Sequence, residues 1–374
     1  MNPLRVAVVG VGHLGRIHTR ILAGLPQFDL VGVVDPVPEN LARASADFGV
    51  PGFRRANELP AAIDAAVIAT PTRFHHQVAG ELLAQRVHLL VEKPLASTYG
   101  QTCELVELAF RQGVMLQVGH VERFNPAFTA ARPHLTSPKY ISATRRSGYS
   151  FRSTDVGVVL DLMIHDIDLV LSLVRSPLRQ VEAFGLALFG QHEDVASARL
   201  SFENGCVVDL NASRISRAPA RSMEVWSARG MASLDFSART AALVRPSDTV
   251  LRRDLDVERL TAPERDALKD TLLAEHLPSE QLTVEPCNAI TAELADFAVS
   301  VQTGRPPQVA GEAGRDAVDV AERILAKIAR HAWDGTPDGR VGPQGLPVRQ
   351  IIPGPHWGRK PAGTPSAPER REAG

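Results

Sequence analysis

Val6-Ala7-Val8-Val9-Gly10-Val11-Gly12-His13-Leu14-Gly15 decides how the N-terminal part of the chain is read. Four consecutive apolar residues, three of them valine, have the length and branching of a buried strand. The glycines that follow stand in the spacing G-x-G-x-x-G, and a helical pattern opens directly behind them. That spacing alone is weak; between a strand and a helix it is informative. Gly10 permits a tight turn, Gly12 lets the backbone approach a pyrophosphate, and Gly15 lets helix and strand pack closely. The helix that starts at His13 and Leu14 offers free N–H groups and a positive dipole end to the same anion.

The next apolar run, Leu30-Val31-Gly32-Val33-Val34, ends in Asp35, about twenty residues beyond Gly15. A carboxylate there accepts hydrogen bonds from the adenosine ribose hydroxyls and repels a 2′-phosphate. The expectation is therefore a nicotinamide dinucleotide, NAD in preference to NADP.

Working outward, short apolar runs recur at 4–9, 29–34, 65–70, 87–91 and 114–118, with helical stretches at 13–25, 38–48, 74–86 and 98–112. Strand–helix alternation with continuous apolar strands predicts a doubly wound parallel sheet of the Rossmann type. Beyond residue 123 the texture changes. Segments 139–149, 179–190, 194–211 and 221–245 alternate in polarity, and Asn204-Gly205 is a hairpin signal inside one of them. Helical segments stand at 156–174, 287–302 and 313–333. The expected fold class is α/β: a Rossmann domain at 1–122, then an α/β domain at 123–352 with a large open, mostly antiparallel sheet. The second domain is expected to carry substrate and subunit contacts, and its last helix could pack back on the first. The Pro-, Gly- and charge-rich tail at 353–374 is expected to be disordered.

Composition bounds the function. A length of 374 residues points to two domains at about 150 residues each. Lys and Arg number 41 against 42 Asp and Glu, which leaves no basic footprint for nucleic acid. No leader-like segment or long apolar span is read, so the expectation is a cytoplasmic protein that does not cross a membrane. Cys103, Cys206 and Cys287 are too few and scattered for a disulfide framework, and each is read as a small buried hydrophobe.

Two further stretches carry chemistry. Glu92-Lys93-Pro94 closes the fifth apolar run, where the carboxyl ends of parallel strands face a ligand crevice. Lys93 there could hydrogen-bond a substrate oxygen, and Pro94 is a candidate for a cis bond. Asp161-Leu162-Met163-Ile164-His165-Asp166-Ile167-Asp168 places Asp161 about 40° from His165 on an α-helix, with Asp168 about 60° away on the other side. A histidine flanked by carboxylates is a candidate general base near neutral pH. Capping or solvation by these acids is the competing reading, and no third ligand supports a metal site. With a nicotinamide as hydride acceptor, His165 takes the alcohol proton and Lys93 orients and polarises the oxygen; the reverse division stays open.

Over residues 4–335 the chain resembles the glucose–fructose oxidoreductase, inositol dehydrogenase and rhizopine-catabolism family of dehydrogenases. The likeness rests on the glycine fingerprint, Asp35, Ala69-Thr70-Pro71-Thr72 with His75, Glu92-Lys93-Pro94, and Asp161 with His165. It implies Thr70, Pro71, His75, Glu92 and Lys93 at the cofactor, and Lys93, Asp161 and His165 lining the active site. It also implies homodimers or homotetramers formed through the second sheet. The segment Gln117-Val118-Gly119-His120-Val121-Glu122-Arg123-Phe124-Asn125-Pro126 resembles the subgroup that oxidises the 3-hydroxyl of UDP-N-acetylglucosamine-type sugars. On that likeness Arg123 and Asn125 are expected to reach cofactor or sugar, although Arg123 could instead brace the two domains. Arg145, Arg146, Arg152 and Arg214 are candidates for a diphosphate. The expected activity is an NAD-dependent dehydrogenation of a sugar hydroxyl. A free sugar or polyol substrate, and a sensor that binds dinucleotide without chemistry, are the alternatives.

Overall fold

The computed structural model describes residues 2–60, 62–151 and 155–331. Its first sheet contains β1 (Leu4–Val9), β2 (Phe28–Val34), β3 (Gly52–Phe53), β4 (Ala65–Ile68), β5 (His88–Glu92) and β6 (Leu116–Gly119). They lie in the order β3-β2-β1-β4-β5-β6, and every pair is parallel. Parallel neighbours need crossovers, which α1 (His13–Gly24), α2 (Pro38–Phe48), α3 (His75–Ala84) and α4 (Tyr99–Gln112) help to supply. Val6 to Val9 are buried on both faces of the sheet, which is why this strand is continuously apolar rather than alternating. Strand order reverses between β1 and β4, so a crevice opens at their carboxyl ends.

α5 (Pro126–Ala131) leads into a second sheet. Its strands are β7 (Tyr140–Arg146), β8 (Leu178–Leu186), β9 (Val195–Phe202), β10 (Val207–Ser213), β11 (Ala220–Ser227), β12 (Gly230–Asp235), β13 (Thr240–Val244) and β14 (Ser279–Gln281). The order is β14-β13-β12-β11-β7-β10-β9-β8, antiparallel except where β7 lies parallel to β10. The Asn204-Gly205 turn joins β9 to β10 as the hairpin signal predicts, with Gly205 at φ +81°. Inward residues of this sheet, such as Ala196, Ala198, Leu200 and Phe202 of β9, share a buried core with α6 (Ile164–Val174).

The stretch read as one strand over 221–245 is three strands. The alternation runs on through the turns because Met223, Val225, Ala232, Leu234, Ala241 and Leu243 all point into one core. Three short helices the periodicity did not announce, α7 (Asp248–Leu251), α8 (Ala262–Leu268) and α9 (Leu272–His276), stand between β13 and β14. None has a buried residue, so none carries an apolar face to read. The expected helix at 156–174 begins as a wide π-type turn at Val159–Met163 and becomes α-helical only from Ile164.

The last two described helices return to the first sheet. Leu294, Phe297 and Ala298 of α10 (Ala289–Thr303) share a buried cluster with Val6, Val8 and Leu22. α11 (Gly311–Arg330) starts against β6, where Val118 N–H donates to Val309 O at 3.0 Å, and continues into the core of the second sheet through Val318 and Ile324. Of the cysteines, Cys206 is buried, Cys103 half-buried and Cys287 exposed, so the buried reading fails for Cys287. Among the described residues no helix is long and apolar enough to cross a membrane, and no cluster of His, Cys, Asp or Glu could hold a metal ion. The tail expected to be disordered lies outside the described residues.

Candidate active site

A cavity of about 1350 Å³ follows the crevice from Asp35, Asn40 and Arg54, past Gly10, Gly12, His13 and Leu14, to Lys93, Asp161 and His165. Small-ligand pockets span roughly 300–1,000 Å³, so this one has room for a dinucleotide and a second molecule. The three fingerprint glycines do different work. Gly10 sits at φ +90°, and a Cβ there would lie 2.8 Å from the Ala69 and Thr70 backbone. A Cβ on Gly15 would overlap the Gly10 carbonyl oxygen. Around Gly12 a Cβ would meet nothing within 4 Å; the space beside this helix N-terminus is open to the cavity.

Asp35 closes the far end of this cradle. Its Oδ2 accepts from Val11 N–H and its Oδ1 from Val37 N–H, both at 2.9 Å. Each oxygen keeps a lone pair for a ribose hydroxyl. Open space at Gly12 and a fixed carboxylate at Asp35 together fit the pyrophosphate and ribose of a dinucleotide. Thr70 and Pro71 line the same cavity. His75 does not line it. It is buried, with its ring nitrogens 2.8 Å from the Thr70 and Pro94 carbonyls, and it braces the two loops from behind.

At the other end Lys93 Nζ donates to Asp161 Oδ1 at 3.0 Å and to the Asp161 carbonyl at 2.6 Å. The Lys93–Pro94 bond is cis. Glu92 points beneath the strand end. It accepts from His18 Nε2–H at 2.7 Å and from the Lys93 amide at 3.2 Å. Burial raises the Glu92 carboxyl, but His18 and then Lys93 outweigh it and hold the group below its ordinary range.

The expected flanking of His165 by carboxylates is corrected by the structure, because every acid of that segment is taken by a base from elsewhere. Asp161 pairs with Lys93, and Asp166 with Arg145 at 2.7 Å. Asp168 holds Arg123 through two bonds of 2.6 and 2.9 Å. What acts on His165 is burial, then the positive charges of Lys93 and Arg145, with His120 and Arg221 adding to them; its pKa falls well below the ordinary histidine value. The ring is neutral at pH 7, and its buried Nδ1 has no hydrogen-bond partner among the described residues.

Arg123 and Asn125, expected at the cofactor or sugar, face inward instead. Arg123 is 7% exposed and locked on Asp168 of α6, a contact within the stretch expected as the second domain. Asn125 donates to Glu122 Oε2 and the Phe236 carbonyl and caps α5 through Ala127 N–H. The diphosphate candidates are redistributed as well. Arg145 is 2% exposed between Glu122 and Asp166, and Arg214 is buried on Asp194. Arg146 is exposed on β7, and Arg152 lies outside the described residues.

Arg54, Arg55, Arg73 and Arg221 line the cavity, none of them anticipated by sequence reasoning; Arg221, on β11, is the one whose charge acts on His165. It is exposed, and among the described residues no carboxylate lies within ion-pair distance of it. Ser147, Gly148, Ser150 and Leu162 join it on the wall. An alternating strand places an arginine outward for many reasons, so nothing local marks this one. Also missed is a buried polar pair behind the site: His120, whose ring centroid lies 6.3 Å from that of His165, and Glu293, which is fully buried with neither carboxylate oxygen hydrogen-bonded among the described residues.

Comparison with known proteins agrees with this geometry. Residues 4–120 match the model of an oxidoreductase family with an NAD-binding Rossmann fold, and residues 117–233 match the GFO/IDH/MocA C-terminal domain. The chain is 33% identical over 330 residues to UDP-N-acetylglucosamine 3-dehydrogenase from Acidithiobacillus ferrooxidans, covering 88% of this chain and 98% of that protein. A solved structure of that enzyme superposes with a TM-score of 0.76 at 31% identity, over 88% of this chain and 98% of the other. An NAD-dependent scyllo-inositol 2-dehydrogenase from Bacillus subtilis is 28% identical over 235 residues, 58% of this chain and 68% of that protein.

Proposed function

The chain belongs to the GFO/IDH/MocA family of NAD-binding oxidoreductases, and from that premise we propose that it oxidises the 3-hydroxyl of a UDP-N-acetylglucosamine-type nucleotide sugar with NAD. The observation that carries the reading is the convergence of Lys93, Asp161 and His165 on one end of a cavity whose other end is the Gly12–Asp35 cradle. The oxidised nicotinamide supplies the hydride acceptor when bound. Asp161 fixes the Lys93 ammonium, which donates to the substrate oxygen and holds it in place. His165, neutral because it is buried among cations, accepts the hydroxyl proton as the carbonyl forms. Thr70 and Pro71 wall the cavity near the strand ends, and His75 and Glu92 support the loops beneath.

Preference for NAD over NADP is part of this proposal and rests on the Asp35 carboxylate. An Asp35→Ser variant is expected to lose affinity for NAD while the NADP-to-NAD turnover ratio rises. The division into a cofactor unit at 1–122 and a substrate and assembly unit from 123 onward belongs to the same reading. So do assembly into dimers or tetramers through the open sheet and a cytoplasmic setting.

The test mixes purified protein with NAD and UDP-N-acetylglucosamine and follows the reduced-nicotinamide absorbance, with 2-oxoglutarate in a parallel tube to reoxidise a retained cofactor. Reduced cofactor in the first tube, or keto-sugar in the second, supports the proposal. Silence in both, together with turnover of a free polyol such as inositol, overturns the choice of substrate.

A further inference from the structure

We propose that Tyr149, Phe151 and Phe189 form a platform for the pyrimidine ring of the substrate, with Arg221 set to meet its diphosphate. This rests on the nucleotide-sugar reading above and deepens it.

Position is the first argument. Ser147, Gly148 and Ser150 line the cavity at the end that holds Lys93 and His165, and Tyr149 and Phe151 are their immediate neighbours in the chain. Tyr149, Phe151 and Phe189 do not themselves line the cavity; the patch adjoins it through Gly148 and Ser150. Arg221 lies on the same wall, one register position from the strand end that leads into Ser147, since Ala220 pairs with Arg146 and Arg221 with Arg145. A pocket guanidinium without a carboxylate partner suits a phosphate, which it can engage through two parallel N–H bonds.

Construction is the second. The Tyr149 ring centroid lies 5.0 Å from that of Phe151 and 5.2 Å from that of Phe189, both edge to face. Phe151 is nonetheless 84% exposed and Phe189 66% exposed, so ring surface is left open to solvent. Phe151 stands at φ +55°, a conformation rare for bulky residues. A buried ion pair organises the group from behind. Arg214 Nε donates to Asp194 Oδ1 at 2.7 Å, and the Arg214 guanidinium lies 5.3 Å from the centre of the Tyr149 ring. The other oxygen of Asp194, which is fully buried, accepts from the amides of Leu188 and Phe189. One carboxylate thus fixes both the loop that presents Phe189 and the arginine that supports Tyr149. Aromatic residues are only 5% of the chain, so three held together, open to solvent and adjoining the cavity-lining segment call for an occupant. A flat base with a charged diphosphate beside it meets both the rings and the guanidinium.

The test compares wild type with the Phe151→Ala/Phe189→Ala double variant and with Arg221→Ala, all as full-length chains. Two substrates are used, UDP-N-acetylglucosamine and N-acetylglucosamine 1-phosphate, which lacks the uridine. UDP binding is measured by calorimetry and assembly mass by light scattering. The double variant is expected to lose kcat/KM for the UDP-sugar about tenfold more than for the sugar phosphate, mainly through KM, and to bind UDP about tenfold more weakly. Arg221→Ala is expected to weaken UDP binding likewise. If wild type oxidises the UDP-sugar and the double variant keeps its KM and its UDP affinity, the platform is overturned while the substrate reading stands. If the double variant loses assembly mass, the patch is a contact between subunits and the proposal falls. If wild type neither binds UDP nor oxidises the UDP-sugar but oxidises a free polyol, the substrate reading fails first and removes this subsite with it.

Discussion

Lys93 Nζ meets Asp161 twice, at the side-chain Oδ1 (3.0 Å) and at the backbone carbonyl (2.6 Å), across 68 residues of sequence. The first partner sits at the end of a strand in the cofactor-binding sheet. The second sits in the π-type turn that opens α6. The contact therefore joins the two halves of the cavity and fixes the ammonium with only 13% of its side chain exposed. Replacing Lys93 by Ala is expected to lower kcat by about 10²–10⁴-fold, the usual contribution of a positioned proton-handling group. NAD affinity, read by fluorescence titration, should change little. A Lys93→Ala enzyme as active as wild type would remove Lys93 from the chemistry.

The pH profile carries the signature of His165. Burial and then the charges of Lys93 and Arg145 depress its pKa, so the base form persists below the ordinary value of 6.5. The acidic limb of kcat/KM is expected to lie below pH 6.5. Arg221 is among the cations that push the group down, so Arg221→Ala should move that limb upward. Steady-state rates between pH 4.5 and 8 decide it; a limb centred above 6.5 in wild type contradicts the assignment.

Glu293 should mark the stability curve in the opposite direction. Burial, then the charges of Glu92, Asp296 and Asp168, raise its carboxyl well above 4.5. The folded state therefore holds a proton that the unfolded chain releases, and stability falls as pH rises from 4.5 toward the folded value. Glu293→Gln keeps the shape and removes the titration. Its melting temperature relative to wild type is expected to rise between pH 5 and 8. A constant difference across that range would mean that Glu293 is ionised in the fold.

The glycine fingerprint separates binding from folding. Gly12→Ala adds a methyl group into open space and is expected to fold with a melting temperature near wild type while NAD binding weakens at least tenfold. Gly15→Ala drives a methyl group into the Gly10 carbonyl and is expected to destabilise the fold. Thermal melts beside NAD titrations of the two variants test this. Equal cofactor affinity in Gly12→Ala and wild type would mean that the pyrophosphate lies elsewhere.

Arg145 stands between Glu122 and Asp166, with hydrogen bonds of 2.7 Å to each. Arg145→Met strands two buried carboxylates, and removing one partner of a buried pair typically costs about 3–5 kcal/mol. The loss should be larger at pH 7 than at pH 5, because protonating the carboxylates relieves the unpaired charge. Denaturant melts at the two pH values measure it; an unchanged midpoint at pH 7 contradicts the pairing.

Much of the cofactor end was legible in the sequence because its cause is local. The turn from Val9 to Gly15 needs glycine at fixed offsets, and Asp35 follows one crossover later at the end of the next strand. The alternation that announced the second sheet is likewise a property of neighbours along the chain. The site around His165 was read less well. The spacing that set two carboxylates beside it assumed a regular α-helix and took no account of partners from other strands. Arg123 and Asn125 look like ligands in a motif, yet both are buried against Asp168 and Glu122.

The sequence by itself determined the two sheets, the glycine cradle with its carboxylate, and which residue types could perform the chemistry. Those follow from periods of 2 and 3.6 residues and from turn requirements, which neighbouring residues encode. Only the tertiary structure decided which charge meets which: Lys93 with Asp161, Arg145 with Asp166, Arg123 with Asp168, and Arg221 left open on the cavity wall. These pairings depend on how α6 and the π-type turn before it meet β7 and the segments that follow β5 and β6, and buried charge is tolerated only where that packing brings an opposite charge within hydrogen-bond distance.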